Sequence, residues 1–359
     1  MAEHAFHRRV MAGEDAWSLP LRGVLRVLST AYGAVIAVRN RRYDRGRDVV
    51  SVEVPVLSVG NLTTGGTGKT PLVIDLVRRL QGRGRRVAVL SRGYLAAPGQ
   101  QADELLLVSL RAPGAVCIAD ADRARAAARA VREHDIDAIV LDDAFQHRRL
   151  ARDLDVVAVD ATRPFGYGHL LPRGMLREPV TSLRRAHLIV ITRCDQVSSA
   201  AQAAVRARLA GVAPQVPVVA CRHRPAGLVQ LDGHPADGLR DRGRPAFCFS
   251  AIGNPEAFER TAGEMNAELR GHLRLPDHHQ YGTRDLIRIA DAARDAGAEL
   301  VLTTEKDAVK VSRLPFDWPL PALAVRIEID FLEQGDTIVS SAVERALGER
   351  RGSHAQAPL

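Results

Sequence analysis

A chain of 359 residues, 46% hydrophobic and 26% charged, has the make-up of a globular protein and enough length for two α/β domains. Its net charge of +8 suits an anionic partner, while an aromatic content of only 4% argues against a base-stacking surface for nucleic acid. Four scattered cysteines, Cys117, Cys194, Cys221 and Cys248, show no C-x-x-C spacing, which speaks against a metal cluster and for buried reduced thiols.

The first 47 residues carry nine Arg against four Asp/Glu, 9 − 4 = +5, around an apolar run at 19–38. No clear cleavage site follows that run, so a signal peptide is not expected. A spanning helix would have to bury Arg22 and Arg26, at roughly 2.5–3.5 kcal/mol each near the bilayer centre. A helix lying in the membrane interface fits better, with Leu21, Val24, Leu25, Leu28, Tyr32 and Val35 on one side and cations meeting an anionic lipid surface. A core helix packed on its own domain stays open as the plainer alternative.

A short apolar strand at 54–59 leads into Asn61-Leu-Thr-Thr-Gly-Gly-Thr-Gly-Lys-Thr70, and Leu72, Ile74, Leu76, Val77 and Leu80 follow at helical spacing. Strand, Gly-rich turn, helix is the context of a phosphate-binding loop, although Thr63 stands where G-x-x-x-x-G-K-[ST] begins. Thr63, Thr64, Gly65, Gly66, Thr67 and Gly68 would turn backbone N–H groups toward an anion at a helix N-terminus. Lys69 would reach the β/γ-phosphates, and Thr70 would offer its hydroxyl to Mg²⁺. Of 50 basic residues 47 are Arg; only Lys69, Lys306 and Lys310 are Lys, so a compact ammonium is selected at position 69.

A strand at 86–91 ends before Arg92, and an Ala/Arg-rich helix is expected over 121–134. The strand at 137–141 ends in Asp142-Asp143, the Walker B arrangement in which an Asp holds Mg²⁺. Further strands at 155–160 and 187–192 predict a mostly parallel, doubly wound, P-loop NTPase-like sheet, with ligands beyond the C-terminal strand ends. Residues 223–245, rich in Arg, Gly, Pro and His, read as a linker. A second, smaller α/β domain over 246–335 has strands at 246–250, 299–303 and 322–329, and helices from Pro255 and over 283–296. The core domain thus runs 48–222, residues 1–47 hold the membrane-associated helix, and 348–359 read as a disordered tail.

Asn61–Pro71, Ser91–Tyr94, Asp103-Glu104, Asp142–His147 with Arg152-Asp153, Leu170–Pro179, Ile252–Phe258, Pro276–His278 and Thr303–Val309 occur in this order along nearly the whole chain. Together they resemble the tetraacyldisaccharide 4'-kinases of lipid A biosynthesis. That resemblance implies ATP- and Mg²⁺-dependent phosphorylation of the 4'-hydroxyl of a membrane-embedded acylated disaccharide 1-phosphate. It also implies a peripheral place on the cytoplasmic face of the bacterial inner membrane, with no nucleic acid and no obligate protein partner. It assigns Lys69 and Thr70 to phosphate and Mg²⁺, and Asp142 and Asp143 to the metal. Asp103 and His278 would activate the sugar hydroxyl, from different domains that close on one another. Arg92, Arg123, Gln146, His147, Arg177 and Glu178 would line the substrate side. Without that resemblance, Asp103 reads as a helix N-cap and His278 as a solvated loop histidine.

Three positions depart from the family pattern: Ala144 and Ala251 stand where Gly is usual, and Arg173 where a small residue is. Ala144 predicts a shifted loop under Gln146 and His147, since Ala resists positive φ. Two other readings share the loop. A switch-type P-loop ATPase acting on a protein partner would carry a signature Lys at Thr64. A GTPase would carry Asn-Lys-x-Asp where this chain has Thr192-Arg-Cys-Asp195.

Overall fold

The computed structural model describes residues 19–93, 103–236, 243–265 and 268–353. In chain order its elements are α1 (Leu19–Asp44), β1 (Val56–Asn61), α2 (Lys69–Gln81), β2 (Val87–Ser91), α3 (Asp103–Arg111), β3 (Val116–Ala119) and α4 (Arg123–His134). There follow β4 (Ala138–Asp142), β5 (Leu154–Asp160), β6 (Leu188–Thr192), α5 (Ser199–Val212), β7 (Val218–Gln230), β8 (Pro245–Ser250) and α6 (Pro255–Glu264). The chain closes with β9 (Glu268–Arg274), α7 (Thr283–Asp295), β10 (Leu300–Thr304), α8 (Glu305–Val311), β11 (Ala322–Phe331) and α9 (Gly335–Ser353).

Contacts divide the chain into two compact units: residues 1–69, 122–221 and 331–359, and residues 70–121 and 222–330. This differs from the sequence-based boundaries, which put 70–121 with the phosphate loop. Part of the reason is a buried ion pair: Arg111 at the end of α3 lies 2.5 Å from Glu305 of α8 and donates to the Ile327 carbonyl at 3.3 Å. The expected linker is strand β7 as far as Gln230, and 237–242 fall outside the described residues. The expected disordered tail is helical to Ser353, as the end of α9; 354–359 lie outside the described residues.

In the first unit, β4, β1, β5, β6 and the start of β7 pair in parallel in that order. Every residue of β1 and β5 is buried, as expected of parallel strands covered on both faces. Phe145, Leu183, Ile189 and Leu209 lie in the core on one side of these strands. Gly60 is required by close approach: a Cβ there would lie 2.5 Å from that of Phe145. Helix α1 docks through one stripe. The Ser29 hydroxyl donates to the Leu170 carbonyl at 2.8 Å, the Tyr32 hydroxyl to the Arg177 carbonyl at 2.9 Å, and Ile36 is buried. Tyr32 thus faces the protein, not the apolar side assigned to it from sequence. Leu21, Val24, Val27, Leu28, Val35 and Val38 remain exposed, Val27 at 70%.

In the second unit β2 pairs with β3, and β11, β10, β8 and β9 pair in that order, all in parallel. Phe249 stacks on Trp318 at 5.8 Å and meets Tyr281 edge-on at 5.7 Å, inside an apolar core with Leu286 and Ile289. Three of the four cysteines are buried, and desolvation pushes the Cys194 thiol up to about 11 and the Cys248 thiol to about 12, so both stay protonated.

Candidate active site

The loop between β1 and α2 is tied down through its carbonyls. Thr63, in place of the motif's first glycine, is buried, bridges antiparallel to Leu176 and has no positive φ, so no glycine is needed there. The positive φ values fall on Gly65 (99°) and Gly68 (78°), where glycine meets no penalty. The Thr64 N–H donates to the Met175 carbonyl at 2.8 Å. From the end of β6, the Thr192 hydroxyl donates to the Thr67 carbonyl and Arg193 to the Gly66 carbonyl, both at 3.0 Å. Arg193 also pairs with the buried carboxylate of Asp160, whose other oxygen accepts the N–H and hydroxyl of Thr162 at 2.9 and 2.7 Å. With these carbonyls held back, N–H groups at the start of α2 are free to face an anion.

Three charged residues meet beside the loop. Lys69 Nζ donates to Asn61 Oδ1 at 3.1 Å and lies 3.4 Å from Asp143 Oδ1. Arg177 grips both oxygens of Asp143 at 3.0 Å, donates to Asn61 Oδ1 at 2.5 Å, and through Nε reaches the Thr63 carbonyl at 3.1 Å. Burial alone would raise the Asp143 pKa; Lys69 and Arg177 outweigh it and hold the carboxyl well below the usual range. Two cations against one carboxylate leave a positive balance, which suits a polyphosphate.

Asp143, not Ala144, takes the left-handed conformation at the end of β4, with φ 51°. Ala144 is simply buried, so the expected loop distortion from losing glycine there does not arise. Asp142 is buried at the same strand end, and Thr70 sits in the first turn of α2. Carboxylate and hydroxyl oxygens are the hard donors that Mg²⁺ takes, so these residues fit that ion chemically.

Gln146 Nε2 donates to the Asn61 carbonyl at 2.9 Å. His147 is neutral at physiological pH: burial and the nearby Arg123 and Arg152 lower its pKa to about 4. Arg123 is buried at the start of α4, and Arg92 is exposed at the end of β2. Glu178 corrects its expected placing. Its side chain is fully buried and takes Arg39 at 3.3 Å and Asn40 at 2.9 Å from α1, with Arg185 at 2.8 Å, so it anchors the helix.

In the second unit, Asp103 opens α3, and its Oδ2 lies 3.4 Å from Lys310 Nζ. Glu104 pairs with Lys306 at 3.0 Å, which outweighs burial and lowers its pKa, and His278 Nδ1 lies 3.9 Å from Glu104. Asp103 and His278 therefore belong to one unit, not to two that must close, and the carboxylates beside His278 are those of Glu104 and Asp277, each at 3.9 Å. Sequence reasoning missed Asp160, Arg193, Asp307 and Lys310. The scarcity of lysine and the Thr192–Asp195 stretch were the available signals for Lys310 and Arg193.

The brace under the loop has a testable role. Arg193→Met breaks a buried pair, at a cost of about 3–5 kcal/mol, and frees the Gly66 carbonyl. Adding Asp160→Asn should recover most of the stability while the KM for ATP stays raised about tenfold, which thermal unfolding and steady-state kinetics resolve. A double variant with wild-type KM would reduce the pair to a fold element.

A family model described as tetraacyldisaccharide-1-P 4'-kinase matches residues 21–344. A tetraacyldisaccharide 4'-kinase of Anaeromyxobacter sp. (strain Fw109-5) is 42% identical over 94% of both chains. That of Syntrophus aciditrophicus (strain SB) is 38% identical over 86% of this chain and 89% of its own. Among solved structures, LpxK from Aquifex aeolicus in complex with ATP is similar at TM-score 0.68 and 25% identity, covering 91% of this chain and 99% of that one. Both the family model and these relatives span nearly the whole length, so the chain belongs to the tetraacyldisaccharide-1-P 4'-kinase family.

Proposed function

We propose that this protein transfers the γ-phosphate of ATP to the 4'-hydroxyl of a tetraacyldisaccharide 1-phosphate, the phosphorylation step of lipid A precursor synthesis. The observation that carries the ATP half is the loop with Lys69 and Arg177 converging on Asp143 and Asn61. Phosphoryl transfer needs little covalent chemistry from the protein; it needs charge neutralisation and an in-line nucleophile. Lys69 and the loop N–H groups would bind the β/γ-phosphates, and Arg177 would add a second cation at the transferring group. Bound Mg²⁺ would neutralise developing phosphate charge, held by Thr70 and Asp142 with Asp143 beside them. Asp103 would accept the proton of the sugar hydroxyl, with His278 supporting the acid–base step. Arg92, Arg123, Gln146 and His147 are proposed to line the acceptor side.

Helix α1 is proposed to rest in the membrane interface on the cytoplasmic face, where ATP is available. It is long and apolar enough to cross a membrane by length and composition, but Arg22 and Arg26 and the exposed apolar residues suit an interfacial position. The test uses radiolabelled ATP, Mg²⁺ and the acylated disaccharide 1-phosphate in vesicles of mixed neutral and anionic lipid. Label should appear in the lipid, at the 4' position; ATP turnover that ignores this acceptor would overturn the reading. Placing Asp at both Val27 and Val35, which are 70% and 67% exposed, should lower vesicle binding and lipid phosphorylation about tenfold or more while ATP affinity holds. Unchanged vesicle binding would remove α1 from the membrane contact.

A further inference from the structure

Asp307 is completely buried, yet it is a carboxylate in the first turn of α8. Its Oδ2 accepts the Thr304 hydroxyl at 2.8 Å and the Ala251 N–H at 3.0 Å, and its Oδ1 lies 3.5 Å from Lys310 Nζ. Lys310 sits three residues on, its side chain 5% exposed, and its ammonium reaches Asp103 on the far side at 3.4 Å. A second link leaves the same hub. The carbonyl of Ala251 accepts the His278 N–H at 3.3 Å. His278 has φ 60°, a conformation that a non-glycine residue keeps only where its surroundings enforce it. One buried carboxylate is therefore connected to both members of the acid–base pair.

We propose that Lys310 and Asp307 are positioning residues: Lys310 holds the Asp103 carboxylate in place, and Asp307 fixes both Lys310 and the His278 loop. This rests on reading Asp103 as the base. The choice of Lys fits, because a compact ammonium can sit between two carboxylates where a planar guanidinium is too wide, and the chain otherwise uses Arg for 47 of its 50 cations. It also gives the Thr303–Lys310 stretch a purpose: Thr304 caps α8, Asp307 closes the cap at 3.1 Å, and Lys310 follows on the same face.

Other charges near Asp103 are themselves paired. Glu104 is held by Lys306, and Asp285 by His279 at 3.0 Å. Asp277 lies 3.9 Å from His278 Nε2. The Tyr281 ring lies 5.7 Å from Lys310 Nζ, and burial together with Asp307 keeps its hydroxyl protonated. These groups remain in a Lys310 variant, which takes the ammonium away from Asp103, from Asp307 and from the His279 carbonyl, 3.5 Å away.

The test is the split between kcat and KM, measured with the full chain, ATP and the acylated disaccharide 1-phosphate. Without the ammonium the Asp103 carboxylate loses its fixed place, so in Lys310→Met kcat should fall about tenfold or more while the KM for ATP holds. The same change made on top of Asp103→Asn should add little, as for residues acting as a unit. Should the Met variant not fold, Lys310→Gln serves the same measurement. An unchanged kcat in the uncharged variant, with Asp103→Asn inactive, overturns the positioning role and leaves the base intact. If Asp103→Asn is itself active, the base reading fails first, and the two failures are thereby distinguished.

Discussion

Lys69→Ala should reduce phosphoryl transfer by at least about 10²–10³-fold, the usual loss when a preorganised donor to a developing negative charge is removed. The side chain lies at the mouth of α2 and contributes charge to the site, not volume to a core. Arg177 still grips Asp143 through both oxygens in the variant, so the neighbourhood keeps its shape. The melting temperature should therefore shift by only a few degrees while turnover collapses. Lys69→Arg should fail almost as badly, since a planar fork cannot fill the place of a point charge 3.1 Å from Asn61. Near-normal turnover in Lys69→Ala would sink the nucleotide-site reading.

The other large effect concerns the acceptor. Asp103→Asn keeps size and most hydrogen bonds but cannot take a proton, so kcat should drop by roughly 10²–10⁴. ATP affinity, measured by equilibrium binding, should hold. His278→Ala should slow the same step, and the double variant should be little worse than Asp103→Asn, as for residues acting as a unit. Additive losses would mean independent roles. The structure supplies a competitor in Glu104, which faces His278 at 3.9 Å. If Glu104→Gln loses transfer and Asp103→Asn keeps it, the base is Glu104.

Much of this architecture is legible from periodicity. The strand predicted over 155–160 is β5, and the helix predicted over 283–296 ends one residue earlier, because strong apolar patterns specify buried elements. The phosphate loop was readable because its residues are chosen for backbone geometry, which leaves a mark in composition. Tertiary choices left no such mark. Glu178 next to Arg177 reads as part of a polar active-site run, yet burial against Arg39, Asn40 and Arg185 makes it an anchor. The division of the chain could not be read because Arg111 and Glu305 are 194 residues apart, and nothing local announces their pairing. Tyr32 was misplaced for a similar reason: helical spacing says which residues share a side, but not that a phenol will find a carbonyl at Arg177.

The two neighbours Arg177 and Glu178 face opposite duties across a single peptide bond. One side chain clasps Asp143 and Asn61 at the phosphate loop; the other clasps α1, and the hydroxyl of Tyr32 on that helix bonds the very carbonyl that joins them. Any tilt or pull on α1 therefore has a lever arm of one residue before it is felt by the guanidinium at the loop. Where the helix settles is, in mechanical terms, part of how the site is tuned.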